Sequence, residues 1–311
     1  MEAAVLALRR QFPAWGGRKL ARVLRNQGHQ GVPSPSTVTA ILHRHGLIEP
    51  EASQAAKHWH RFEHDAPNDL WQMDFKGYFE AEDGSRCDAL TVLDDHSRFS
   101  LVIHACKQPD AVHVRQALIP AFQRYGLPKR INADNGSPWG CPTDTEQRLS
   151  ALSVWLIRQG ITVTHSAPYH PQTNGKIERF HRSLQAEVLN QHVLSDLAHV
   201  QAAFDWWRPI YNRVRPHDSL GEQSPISRYT PSPRPYTAQL PPIEYSPNDI
   251  VMTVKDKGWI KFRGHSIRLA GALYKLPVAL RPDPDQDGSF QVYFCHQAIT
   301  RLDLSRTPTS N

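Results

Sequence analysis

The sequence predicts a mixed α/β core with a helical domain before it and a small β-rich domain after it. Three observations carry this prediction. Between residues 70 and 107 three stretches read as strands, and the first, Leu70 to Gly77, alternates apolar and polar residues. From residue 111 onward, amphipathic helical patterns alternate with short strands, the mark of a mixed α/β fold. From Asp249 the pattern changes to short strands punctuated by Gly258, Gly264 and Gly288. A chain of 311 residues has room for two or three domains, and 40% hydrophobic content supports packed cores.

Residues 2–12 read as a first helix with Val5, Leu6 and Leu8 inward. Gly16-Gly17 interrupts it. Arg18 to Gln27 is a second helix: Leu20, Val23 and Leu24 form its apolar face, and Lys19, Arg22 and Arg25 lie outside it. After a turn, Ser34-Pro35-Ser36-Thr37 offers a capped helix start with proline in the first turn. The third helix runs through Val38, Ile41 and Leu42 and stops near Gly46. Three such helices suit a helix-turn-helix domain over residues 1–48. Its third helix would enter a major groove and present Ser36, Thr37, Thr39, Ala40, His43 and Arg44. The turn before that helix is longer than the usual tight one, and a helical hairpin packed on the core is the alternative. The charge is uneven. Arg9, Arg10, Arg18, Lys19, Arg22, Arg25 and Arg44 face Glu2 alone in this region, which therefore accounts for the net +6 of the whole chain. A nucleic-acid partner fits such a block, with Arg18, Lys19 and Arg22 added to the third-helix contacts.

Residues 49–67 are polar and histidine-rich and read as a linker. His58, His60 and His64 cluster there, but Cys87, Cys106, Cys141 and Cys295 form no CxxC pair. A cysteine zinc site and a disulfide framework are therefore not expected. The core is expected over residues 68–220. Its strands are Leu70–Glu80, Arg86–Leu93 and Phe99–Lys107, with a hairpin turn at Glu82-Asp83-Gly84-Ser85. Helix Ala111–Tyr125, strand Arg130–Asp134, helix Glu146–Gln159, strand Ile161–His165 and helix Asp196–Asn212 follow. Trp206 and Trp207 are expected in the core. Seven of the chain's 25 prolines lie between Gly221 and Pro247, which reads as a semi-rigid linker. Residues 248–304 hold six short strands that suit a small barrel, and residues 305–311 form a tail. No run of about 18 apolar residues exists, and the N-terminus lacks the order of a signal peptide, so an intracellular protein is expected.

Three carboxylates stand out. Asp74 lies on the first strand, on the face opposite Trp71, Met73 and Phe75. Asp134 lies at the carboxyl end of a strand, where ligand groups collect in α/β sheets. Glu178 lies on a helix whose apolar residues are Ile177, Phe180, Leu184 and Val188, close to Lys176, Arg179 and Arg182. A solvated helix with internal ion pairs is the plain reading of Glu178. Two aspartates and a glutamate together make a hard-oxygen cluster suited to Mg2+ or Mn2+, while the cations suit phosphate. No Gly-rich Lys-Ser/Thr loop for a nucleotide is present.

In the blocks Trp71–Gly77, Asp134–Trp139 and His170–Leu184, and in their order, the sequence resembles the integrase-like DDE transposases of bacterial insertion sequences. These are relatives of the retroviral integrases and share a ribonuclease-H-like catalytic core. The resemblance runs from about Gly16 to Leu304. It implies a ribonuclease-H-like α/β core with a five-stranded mixed sheet, an N-terminal helix-turn-helix and a C-terminal β-barrel. It further implies that Asp74, Asp134 and Glu178 are the catalytic and metal-binding residues, holding two divalent ions. Asp94 and Asp95 would be a hairpin feature, with direct ligation the alternative. The implied reaction is cleavage at element ends followed by strand transfer into target DNA. The partners would be terminal inverted repeats, target DNA and further copies of the chain on DNA, in a bacterial cytoplasm at the nucleoid. Lys176, Arg179 and Arg182 would hold phosphate, and Lys255, Lys257, Lys261, Arg263 and Arg268 would lie on DNA. Two departures stand out: the Asp134–Glu178 interval is longer than in retroviral integrases, and Gln185 stands where many relatives carry a cation. An inactive DNA-binding regulator and a plain metal nuclease are the competing readings.

Overall fold

Local chemistry sets the first three helices, α1 (Glu2–Gln11), α2 (Gly17–Asn26) and α3 (Pro35–Arg44). The Ser34 side chain accepts the Thr37 N–H and Pro35 occupies the first turn, so α3 starts where its capping signal lies. The helices enclose their own core of Val5, Leu8, Phe12, Trp15, Leu20, Leu24, Val38 and Leu42. Leu6, expected inward, is only half-buried. Helices α2 and α3 meet closely at Gly17, where a Cβ would stand 2.6 Å from the Pro35 carbonyl oxygen. The computed structural model describes residues 1–48, 63–140, 149–165 and 175–304. The 49–62 linker with His58 and His60, the start of the Glu146 helix, the loop before Glu178 and the 305–311 tail lie outside them.

The sheet has five strands in the order β3-β2-β1-β4-β5. They are β1 (Trp71–Glu80), β2 (Arg86–Asp94), β3 (Ser100–Cys106), β4 (Arg130–Ala133) and β5 (Thr162–His165). β2 and β3 are antiparallel, while β4 runs parallel to both β1 and β5. Three sequential strands followed by α4 (Ala111–Tyr125), β4, α5 (Ala151–Arg158) and β5 is the ribonuclease-H-like order, as expected. By contact density the chain divides into two units. One comprises Met1–Pro67, Phe75–Lys107 and Tyr169–Thr230; the other comprises Asn68–Asp74, Gln108–Pro168 and Pro231–Asn311.

In the first unit, α6 (Gly175–Leu184) and α7 (Leu197–Arg213) cover β2 and β3. Phe180, Leu184, Val188, Phe204, Trp207 and Tyr211 share a core with Ala89, Leu93 and Ile103. The periodicity did not foresee the π-helical turn Gln185–Leu189 that continues α6. Through it the Glu187 side chain enters the interior, only 7% exposed. Glu187 accepts hydrogen bonds from Arg215 Nε at 2.7 Å and Trp207 Nε1 at 3.0 Å, and Lys19 Nζ lies 3.6 Å away. Trp15 also bonds to it, and so the three-helix module is fastened to the core through one carboxylate. Burial alone would raise the pKa of Glu187; Arg215 and Lys19 outweigh that and hold it below the usual range. Trp206, expected in the core beside Trp207, is exposed and meets the His192 ring edge-on.

In the second unit, Trp71, Phe122 and Trp155 pack across β1, α4 and α5. Residues 231–236 of the proline-rich stretch are bound rather than loose. Ser232 N–H donates to the Tyr125 carbonyl, Leu127 N–H donates to the Arg234 carbonyl, and Arg234 Nη1 donates to the Pro128 carbonyl at 2.6 Å. Gly126, at φ +75°, permits this: a Cβ there would stand 2.5 Å from the Ser232 oxygen. Past this strap come β6 (Ile250–Thr253), β7 (Trp259–Phe262), β8 (His265–Arg268), β9 (Pro277–Pro282), β10 (Ser289–Phe294) and β11 (Gln297–Asp303). They form a four-stranded antiparallel sheet, β11-β10-β9-β6, and a β7–β8 hairpin. Phe262 against Phe290 joins the two. Gln297 reaches back to β5, accepting the Val163 N–H and donating to the Val163 carbonyl, both at 2.9 Å.

Two predictions follow from the first unit. Glu187→Ala strands Arg215 and Lys19 without their anion and is expected to cost about 3–5 kcal/mol, measured by urea unfolding. The second concerns acid. Burial, with Lys76 adding, holds His181 down to about 4, and burial beside Arg215 holds His217 to about 2, against an ordinary 6.5. The unfolded chain therefore takes up protons near 6.5 that the fold refuses, so stability is full above that pH and falls below it. Urea unfolding at pH 7, 6 and 5 should show the fall, and His181→Asn should flatten it.

Candidate active site

The register between β1 and β4 places the first two carboxylates. Trp71 pairs with Ile131 and Gln72 with Asn132. The same offset sets Asp74 level with Asp134, one residue past the end of β4. Side chains alternate along a strand, so Gln72 and Asp74 share a face with Asn132 and Asp134. Neighbouring strands are about 4.8 Å apart, so the pairs Trp71–Ile131 and Gln72–Asn132 lie just before the two aspartates on adjacent strands. Trp71 and Met73 are buried, while Asp74 is half-buried and Asp134 is exposed. The Asp134 carboxylate accepts the Gly136 N–H at 2.9 Å, and its backbone carbonyl is bonded to His165 Nδ1 at 2.7 Å. Beside it, Asn132 Oδ1 accepts the Thr164 hydroxyl at 3.1 Å. This bonding braces the tip of β4 from β5 and from its own turn.

Glu178 belongs to the other unit. Ile177, Phe180 and Leu184 point α6 into the core, which leaves Glu178, Arg179 and Arg182 exposed. His181 is held to β2 by Thr91 Oγ1 at 2.7 Å. Lys176 differs from its cationic neighbours. Its Nζ lies 2.6 Å from Asp95 Oδ1, and its side chain is 15% exposed. Burial pushes its pKa below the ordinary lysine range, Arg98 adds to this, and Asp95 pulls the other way. The exposed cations of this helix are therefore Arg179 and Arg182. Gln185, at the departure from the family pattern, donates to Asn190 Oδ1.

The donor set suits a hard divalent cation in part. Asp74, Asp134 and Glu178 carry carboxylate oxygens of the kind such an ion takes, with Asp74 half-buried and the other two exposed. Among the described residues, no group of three or more His, Cys, Asp or Glu side chains stands close enough to hold a metal ion.

On the N-terminal module, Ser36, Thr37, Thr39, Ala40, His43 and Arg44 are all exposed on α3. Thr39 Oγ1 donates to the Pro35 carbonyl, and Arg44 pairs with Glu2 at 2.6 Å. Arg18 lies 3.8 Å from Asp218, Arg22 is half-buried, and Lys19 serves the buried Glu187. Sequence reasoning missed Glu187 and the Asp95–Lys176 pair. The Asp94-Asp95 doublet is the available signal for the second, and it reads as a hairpin feature with direct ligation the alternative. The hairpin role is real for Asp94, whose carboxylate accepts the Ser97 N–H at 2.8 Å. No helix among the described residues is long and apolar enough to cross a membrane.

Comparison with known proteins adds the following. Residues 64–171 and 159–225 match two models of the integrase core domain, and residues 249–310 match the C-terminal domain of IS481 family transposases. An uncharacterized 31.7 kDa protein of insertion element IS407 from Burkholderia multivorans is 33% identical over 161 residues, 51% of this chain and 54% of its own. An uncharacterized 39.2 kDa protein of insertion element IS476 from Xanthomonas euvesicatoria is 34% identical over 160 residues, 51% of this chain and 43% of its own. The chain thus spans about half the length of these relatives. The HTLV-2 integrase catalytic core domain in complex with magnesium is similar at a TM-score of 0.41 and 16% identity, over 53% of this chain and 99% of that one. The chain belongs to the integrase-core family: residues 64–225 are its integrase core domain and residues 249–310 its IS481-type transposase C-terminal domain.

Proposed function

We propose that this chain is a DDE transposase, which cleaves DNA at the ends of an insertion element and joins those ends to target DNA. The observation that carries the reading is the match of residues 64–225 to the integrase core domain, and the β1–β4 register, continued two residues, supports it by setting Asp74 level with Asp134. Asp74, Asp134 and Glu178 would hold Mg2+ or Mn2+, two ions in all. Bound there, such ions supply activation of the attacking oxygen and stabilisation of the leaving oxygen in an in-line displacement. The chain's own part is to fix the ligands. The hydrogen bonds from Gly136 to the Asp134 carboxylate and from His165 to the Asp134 carbonyl orient that residue before any substrate arrives. Water would attack first and expose a 3′-hydroxyl, and that hydroxyl would then attack target DNA. Arg179 and Arg182, exposed on the helix of Glu178, would hold the flanking phosphates without reading bases. Lys176 is already matched by Asp95 and would contribute through that pair.

End recognition would fall to α3, with His43 and Arg44 toward base edges and Thr37 and Thr39 nearer the backbone. The C-terminal sheets would add contacts, and the active complex would be a homo-oligomer on DNA. The setting would be a bacterial cytoplasm, with the protein at the nucleoid.

Two outcomes test this reading. Asp74→Asn, Asp134→Asn and Glu178→Gln are each expected to abolish cleavage and joining of linear DNA carrying the element's ends, with DNA affinity retained. Near-normal cleavage by any of the three would remove that residue from the site. Activity confined to unselective nicking in the wild type would favour the nuclease reading. Separately, Arg182→Ala is expected to weaken binding to end and random DNA alike. It should also reduce the slope of log affinity against log salt by about one unit, read from a salt series.

A further inference from the structure

The turn between β2 and β3 holds two adjacent aspartates with different tasks. Asp94 closes the turn itself: its carboxylate takes the Ser97 N–H, and its backbone pairs with Arg98 and Phe99. Asp95 points elsewhere and is 2% exposed. Its Oδ1 lies 2.6 Å from Lys176 Nζ, and its carbonyl accepts from the same ammonium at 3.3 Å. Its Oδ2 accepts the backbone N–H of His64 at 3.0 Å. One carboxylate therefore grips two segments at once. The first is the start of α6, where Lys176 stands two residues ahead of Glu178. The second is the stretch that leads in from the N-terminal module. The second grip is reinforced: Glu63 takes Arg98 at 2.8 Å and Arg228 at 2.9 Å, and His96 Nδ1 is bonded to the His64 carbonyl at 2.8 Å.

Apolar burial fixes α6 along its length through Ile177, Phe180 and Leu184. Such packing is non-directional, and of the three only Ile177 lies in the first turn, beside Glu178. A buried ion pair with a defined donor and acceptor is directional. We propose that Asp95 is a positioning residue: through Lys176 it sets the first turn of α6, and with it the Glu178 carboxylate, and it ties that setting to the segment arriving from the DNA-binding module. This rests on the reading of Glu178 as a metal ligand. Loss of residues that orient metal ligands from behind typically costs 10–100-fold in metal affinity or activity.

The test uses the full chain and Mn2+ alone as probe, with Asp95→Asn, Asp95→Ala, Lys176→Met, Lys176→Arg and Glu178→Gln side by side. Mn2+ binding is read by calorimetry, the Mn2+ concentration for half-maximal end cleavage by titration, and folding by thermal melting. Asp95→Ala and Lys176→Met are expected to weaken Mn2+ binding about tenfold or more and to raise the half-maximal concentration by the same factor. Lys176→Arg, which keeps a cation opposite Asp95, should recover most of the loss. Asp95→Asn keeps an acceptor for Lys176 at nearly unchanged shape and should fall between wild type and Asp95→Ala. Should Asp95→Ala fail to fold, Asp95→Asn and Lys176→Met decide the matter. Unchanged Mn2+ binding in these folded variants, whatever their melting temperature, would overturn the proposal. Full cleavage by Glu178→Gln would instead overturn the reading of Glu178, so the two failures are distinguishable.

Discussion

The parallel pairing of β1 with β4 is the constraint on which the candidate site depends. Register in a sheet with one buried face is set by which side chains the core accepts, and Trp71 opposite Ile131 satisfies that demand. Trp71, Gln72 and Met73 are all buried, so a slip of one residue would move Trp71 and Met73 to the face that now carries Gln72 and the half-buried Asp74. Apolar packing therefore holds two like-charged aspartates beside each other, against their mutual repulsion. The chemistry on one face of the sheet is placed by burial on the other.

The first unit solves a different problem, that of attaching a small basic module to a larger body. Glu187 attracts Arg215, Lys19 and the indoles of Trp15 and Trp207 into one buried cluster. Lys19 and Arg215 repel each other, and burial pushes Lys19 down to about 8, so the carboxylate is the keystone of the group. The arrangement spends one cation of α2 on attachment and leaves the outer face of α3 exposed.

Much of this was legible in the sequence, for physical reasons. The strands, α4 and α7 announced themselves by period, and α3 by its Ser34 cap, because those signals are local. The 60-residue spacing from Asp74 to Asp134 turned out to be the strand register itself, which no local pattern states. Glu187 drew no reading, because nothing near it in the chain shows that Arg215, Lys19 and Trp15 gather around its carboxylate. Lys176 looked like a free phosphate ligand because its partner lies 81 residues away. The proline-rich stretch read as a linker from composition alone. Its fixing depends on the Leu127 N–H and the Tyr125 and Pro128 carbonyls, whose availability only the fold reveals.

The Gln297 amide has a consequence for how the sheet ends. β5 is a terminal strand, and a terminal strand offers unmet donors and acceptors to any passing extended chain. Gln297 occupies the N–H and the carbonyl of Val163 with a single side-chain amide, as a neighbouring strand would. One residue of β11 thus acts as a stopper on the sheet. A chain that lost its C-terminal sheets would open a strand edge, so such a fragment would tend toward sheet-to-sheet association.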